Sequence, residues 1–263
     1  MNNSFTTKKF PPVRKASVDL LNAASRKNMI HAFAEADVTD IRSAIRDIRK
    51  SERKYLSLIG YIQFCAAKAV EKQKQIQAYR NFRSRLVIFD EVDISTTIEQ
   101  KMGGANEVLP TIIRSANRKS MFEISEEIKK AKEAEIDESE VFTSIKTYLA
   151  IPAFVRRFAF RLLDRSPKLM KKKAGTIMVT SGNAGSSGML WGVPVASHTL
   201  NITIGGITKK LVKQQDSFEE REFLCLTVSV DHNIVDGAPA ARFIRQFLRL
   251  IETEISQKKT IQN

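Results

Sequence analysis

The chain has 263 residues, 43% apolar and 27% charged, with a formal net charge of +14. That length allows a core of ordinary size. No apolar run approaches the ~18 residues of a membrane-spanning helix and no cleavable leader pattern opens the chain, so the cytosol is the expected location. The basic excess invites a nucleic-acid reading, but Lys and Arg are spread out and, in KKAKEAEIDE (129–138), interleaved with acids. Without a helix-turn-helix, zinc-finger or aromatic RNA-binding pattern, nucleic acid is disfavoured.

In chain order, residues 1–12 read as a polar arm and Val13 to Ala24 as a first helix. Met29 to Asp37 alternates like a strand, and Thr39 caps a helix carrying Ile41, Ala44, Ile45 and Ile48 at helical spacing. Ser57 to Lys74 presents a broad apolar face and should be buried. Arg85–Phe89 and Val92–Ile98 read as a strand pair around Asp90-Glu91, and Val108–Ile113 as a short strand. Ser120 and Glu123 have capping-box spacing before a helix running to about Ala134. Cys65 and Cys225 stand far apart in apolar segments, which suits two buried thiols better than a disulfide or a zinc knuckle.

Residues 141–174 are rich in aromatics, leucine and arginine, and Pro152 breaks them into two helical pieces. Two readings stand for this basic insertion: peripheral contact with a membrane surface or greasy partner, or amphipathic helices packed on the domain's own flank or a sister subunit. Gly175–Ser181, Leu200–Gly206 and Phe223–Asp231 supply three more strands, separated by the glycine-rich SGNAGSSGMLWG and the polar KQQDSFEERE. A helix from about Ala238 to Ile255 closes the chain, giving one α/β domain over residues 13–263 with a mixed sheet.

His232 lies just past the last strand, where a rigid scaffold can hold a side chain toward a cleft. Its free pKa of about 6.5 suits a base near neutrality. The plainer reading is a turn, with Asp236 capping the next helix and Gly237 easing the bend.

The run Asp231-His232-Asn233-Ile234-Val235-Asp236-Gly237-Ala238-Pro239-Ala240-Ala241-Arg242-Phe243 resembles the signature of the catalytic domain of the dihydrolipoyl acyltransferases of 2-oxo acid dehydrogenase complexes. Chloramphenicol acetyltransferase is a more distant relative of that family. Further stretches resemble the family in its own order: Pro12-Val13-Arg14-Lys15-Ala16; Met29-Ile30-His31 with Asp37-Val38-Thr39; Ile113 through Ile124; and Met178-Val179-Thr180-Ser181. The resemblance implies a chloramphenicol acetyltransferase-like two-layer sandwich. It also implies that His232 takes a proton from a thiol that attacks a thioester, while Ser181 donates to the oxyanion. Ser181 before Gly182 also fits an ordinary turn. By the same resemblance Asp236 pairs with Arg14 to support the site, and His31, Thr180 and Trp191 are candidate substrate contacts. His198 has no matching role. Relatives form trimers with the site at the subunit interface, so a homotrimer or a multiple of it is expected, using coenzyme A as substrate and no metal.

The chain departs from the family in having no recognisable lipoyl domain, so a lipoyl group is expected only from a partner protein. Asn233 stands where an arginine is common, and 141–174 replaces a short connection. The expected function is a stand-alone acyltransferase moving an acyl group between coenzyme A and a thiol or other small acceptor. The alternative is a non-catalytic trimeric scaffold that binds acyl-CoA, a lipoylated partner or a membrane surface.

Overall fold

The computed structural model describes residues 5–51, 54–102, 105–134, 138–182, 188–214 and 217–261. Its elements begin with α1 (Pro12–Ala24), β1 (Met29–Asp37), α2 (Thr39–Ser51), α3 (Leu58–Lys72) and the short strands β2 (Tyr79–Arg80) and β3 (Leu86–Val87). They continue with β4 (Ile94–Met102), β5 (Ala105–Ile113), α4 (Met121–Glu133), α5 (Glu138–Ala150), α6 (Ala153–Asp164) and α7 (Pro167–Ala174). Last come β6 (Ile177–Ser181), β7 (Leu200–Gln214), β8 (Ser217–Asp231) and α8 (Gly237–Ile261). Six strands make one mixed sheet in the order β1-β8-β7-β6-β4-β5, and β2 pairs only with β3. This is the α/β class that the alternating patterns predict.

Alternation sorts the sheet's two faces. Leu224, Leu226, Val228 and Val230 of β8, with Leu200, Ile202 and Ile204 of β7, are buried in the core beneath the helical layer. There Tyr61, Phe243 and Phe247 are fully buried, and the two phenylalanine rings stack with centroids 5.9 Å apart. Each such side chain contributes on the order of 2–3 kcal/mol by leaving water. The other face of the same strands is polar: Asn201, Thr203, Thr227 and Ser229 are all buried. The helix starts follow their capping residues. Ser57 Oγ accepts the Gly60 N–H at 3.0 Å, and Ser120 with Glu123 forms both halves of a capping box.

Four differences from the sequence expectation have physical causes. The segment 85–98 is not a strand pair, because β3 ladders with β2 whereas β4 ladders with β5 and β6. Strand β5 begins earlier than expected and contains Pro110, tolerated because β5 is an edge strand whose proline nitrogen has no ladder bond to lose. Strands β7 and β8 run far past Gly206 and start well before Phe223, since the polar stretch between them forms a hairpin arm. Ion pairs lace that arm in place of apolar alternation: Lys209 with Glu220, Lys210 with Glu35, and Arg221 with Asp37. Finally, the insertion holds three helices, because Pro167 disfavours helical backbone at Ser166 and restarts the chain as α7.

The insertion packs on the domain's own flank. Buried Asp19 of α1 accepts hydrogen bonds from Arg156 Nε of α6 at 2.7 Å and Tyr148 Oη of α5 at 3.0 Å. The opposite side of α6 stays open, with Phe154 71% and Phe158 65% exposed. At the far end, buried Asp93 joins α7 to the sheet. It accepts from Arg114 Nη1 at 2.9 Å and the Ser115 N–H at 2.8 Å, and pairs with Lys171 at 3.2 Å. Gly175 follows α7 at φ +84°, and a Cβ there would stand 2.7 Å from the Asp93 carbonyl oxygen, so glycine is required.

Candidate active site

The residues of interest fall at two levels of the sheet. At the lower level β8 ends in buried Asp231, whose N–H donates to the Thr199 carbonyl at 2.9 Å. The His232 N–H then donates to the Asn28 carbonyl at 2.8 Å, so the turn is pinned to the start of β1. Asp231 organises the turn beyond it. Its Oδ1 accepts both the Asn233 N–H at 3.0 Å and Asn233 Nδ2 at 2.8 Å, and its carbonyl accepts the N–H groups of Ile234 and Val235. Asn28 Nδ2 donates to Asn233 Oδ1 at 3.0 Å and closes the arrangement.

This leaves the His232 side chain half exposed, facing a shallow cavity lined by Asn28, Met29, Ile30 and Asn233. Its Nδ1 lies 3.7 Å from Asp236 Oδ1. The Asp236 carboxylate is 85% exposed, and Arg14 makes no ion pair with it among the described residues. Arg14 is exposed on α1. Among the described residues of the single chain Arg14 and Asp236 are not paired, and α1 is tied to the insertion through Asp19.

Ser181 stands at the upper level, at the end of β6. It pairs in register with Ile204, Ile204 with Leu226, and Leu226 with Ala34, so these four share one rung. Five residues of β8 separate that rung from Asp231, roughly 17 Å along the strand, with about 10 Å more across two strand spacings. Within one chain Ser181 and His232 do not meet.

The three candidate substrate contacts lie on the polar face. Thr180 pairs with Thr203 in register. His31 Nδ1 and Ser229 Oγ are hydrogen-bonded at 2.7 Å. The Trp191 indole N–H donates to the Ala34 carbonyl at 3.3 Å, and its ring packs edge-on to Phe33 at 6.4 Å, bracing the loop 188–195 against β1. Residues 183–187 of the glycine-rich loop lie outside the described residues. Beneath that loop the buried hydroxyls of Thr203 and Thr227 have no hydrogen-bond partner among the described residues.

Sequence reasoning missed the groups around Asp231. Lys27 Nζ bridges Asp231 at 3.8 Å and Asp164 at 3.9 Å, and burial raises the Asp164 carboxyl above its ordinary range. The signal was an acid ending an apolar strand, which needs a buried cation nearby. Both cysteines are buried free thiols.

His198 is structural. It is buried, with Nε2 hydrogen-bonded to the Ala174 carbonyl at 2.8 Å and Nδ1 to Ser197 Oγ at 2.8 Å, and burial lowers its pKa to about 4. The unfolded imidazole takes up its proton near pH 6.5, whereas the folded one resists until about pH 4. Protons then favour the unfolded chain in that window, so stability should fall by up to about 3 kcal/mol as pH drops through it. Urea unfolding from pH 7 to pH 4.5 checks this. A slope unchanged in His198→Gln would refute the assignment.

The family model for the 2-oxoacid dehydrogenases acyltransferase (catalytic domain) matches residues 2–140 and 143–257. The dihydrolipoyllysine-residue acetyltransferase component of the pyruvate dehydrogenase complex of Staphylococcus epidermidis is 24% identical over 253 residues, covering 94% of this chain and 51% of the relative. The chain thus spans about half the length of the curated relatives it matches. Among solved structures, the cubic core of the pyruvate dehydrogenase multienzyme complex superposes with a TM-score of 0.69 at 16% identity, covering 97% of this chain and 95% of that one. The Azotobacter vinelandii dihydrolipoamide acetyltransferase gives 0.70 at 15% identity, with 97% and 95% covered. Chloramphenicol acetyltransferase gives 0.53 at 11% identity, with 94% and 100% covered. The fold is accordingly the chloramphenicol acetyltransferase-like one, and the chain belongs to the acyltransferase catalytic-domain family of the 2-oxoacid dehydrogenases.

Proposed function

We propose that this protein moves an acyl group between coenzyme A and a small acceptor, with His232 as the general base. The carrying observation is the exposed imidazole at the pinned end of β8, in a chain that matches the family almost from end to end. With Nδ1 turned toward Asp236, Nε2 is the ring nitrogen that faces substrate. It takes the acceptor's thiol proton as the thiolate attacks the thioester carbonyl. The tetrahedral oxyanion collapses by expelling the coenzyme A thiolate, which recovers the proton from the imidazolium.

Ser181 is the proposed oxyanion donor, worth about 3–4 kcal/mol when well aimed. Since it lies too far from His232 in one chain, the working site joins His232 of one protomer to Ser181 of the next, in a closed ring of three copies. The Azotobacter enzyme, whose catalytic roles were probed at a serine, a histidine and an asparagine four residues beyond that histidine, supports the choice of a serine and a histidine. The spacing equals that of His232 and Asp236.

The test incubates purified protein with an acyl-CoA panel and thiol acceptors, dihydrolipoamide included, and follows release of the coenzyme A thiol. His232→Ala should lower turnover by about 10²- to 10⁴-fold. Asp236→Asn should retain activity within about tenfold, since an exposed carboxylate at this distance orients the ring without carrying the proton. Binding of acyl-CoA with no turnover that depends on His232 would favour a scaffold instead.

A further inference from the structure

Beside the His232 loop lies a cavity of about 900 Å³, walled by α6, the residues before β1, the β2–β3 hairpin and the turn after β8. Five basic and two acidic residues line it. The two acids, Asp164 and Asp231, share Lys27. Arg26, Arg80, Arg161 and Arg165 make no side-chain hydrogen bond and no ion pair among the described residues. Arg26 acts on the Asp164 carboxylate, but five cations against two acids leave the hollow with an excess of positive charge that favours an anion. The same walls carry Phe82 at 58% exposure and Phe158 at 65%, so the lining offers apolar surface as well as charge. Asn233 lines both this cavity and the shallow one at His232, so the two adjoin at that residue.

We infer that this cavity receives the acyl acceptor, and that the acceptor is a small amphipathic anion carrying a phosphate or carboxylate group. The inference rests on the acyl-transfer reading above and names its substrate class. Position favours the acceptor over coenzyme A, because the phosphates of an acyl-CoA lie a pantetheine arm away from its thioester, whereas this hollow adjoins the base. Arg161 and Arg165 come from the insertion, which thereby acquires a role in selecting the substrate. A neutral acceptor such as a lipoamide would leave the four arginines unused.

Calorimetric titration of the intact oligomer with phenyl phosphate, benzoate and the neutral benzamide tests this. At least one anion should bind about tenfold or more tightly than benzamide. Arg161→Ala/Arg165→Ala should lose that advantage, as should Arg26→Ala from the segment before β1, while His232→Ala should keep it. Phosphate and carboxylate probes between them identify the favoured headgroup. Equal binding of all three probes, binding of none, or anion binding indifferent to both sets of arginine variants would overturn the inference, as would arginine-dependent binding to phosphatidylglycerol vesicles without binding of the small anions. If the anions bind through the arginines but no acyl-CoA turns over, the cavity stands and the acyl-transfer reading fails. If turnover depends on His232 but ignores acceptor charge, the reverse holds.

Discussion

Mixing His232→Ala protein with Ser181→Ala protein, after dissociation and reassembly, should restore activity that neither variant has alone. In the proposed ring, each site takes an imidazole from one copy and a hydroxyl from its neighbour. In a randomly reassembled ring of three copies, roughly one junction in four then carries both intact groups. The recovered rate should therefore approach about a quarter of wild type. Each parent variant should sit some two orders of magnitude or more below it. The expectation comes from register: Ser181 is level with Leu226, while His232 lies past Asp231 at the other end of β8. Mixed samples no more active than the parents, although mass spectrometry shows that they have exchanged subunits, would mean that the two groups do not share a site.

The second large effect concerns the joint at Asp93. Replacing it by alanine should cost on the order of 3 kcal/mol, because the carboxylate is buried and serves Arg114, Lys171 and the Ser115 N–H together. Ser115 is held in left-handed backbone at φ 49°, a conformation that persists only while its surroundings enforce it. Asp93→Asn keeps an acceptor for the N–H and should lose about half as much. Function should suffer as well, since β6, which carries Ser181, starts two residues beyond Gly175, where α7 meets the same joint. Urea unfolding midpoints compared with wild type decide the matter. A change below about 0.5 kcal/mol would show that the two cations find water an adequate substitute.

Much of this architecture is legible in the residues. β1, α2, α3 and α4 lie where alternation, helical spacing and capping residues put them, because those signals are local. Strand pairing is not legible in the same way. The partner of Leu86–Val87 is decided by Tyr79 and Arg80, and no local pattern favours them over the apolar run from Val92. The polar arm of β7 and β8 reads as a loop because its strands are stabilised by cross-strand charge rather than by a buried face. At the candidate site, the family resemblance names His232, Asp236 and Ser181 as candidates. It does not reveal that Asp231 and Asn233 shape the turn, or that Lys27 and Asp164 join from distant elements, since such tertiary contacts leave no spacing to read.

Pro110 gives the two rims of the sheet different chemistry. Strand β5 forms one border, and at Pro110 it has no donor to offer an incoming strand, which guards that side against unwanted edge-to-edge association. Strand β1 forms the other border, without a proline, and its even-numbered residues face β8, as shown by the bonds at Asn28 and Val38. The backbone groups of His31, Phe33 and Glu35 therefore point away from the sheet. Of the two borders, β1 is the one along which a ladder continued from another molecule meets no proline.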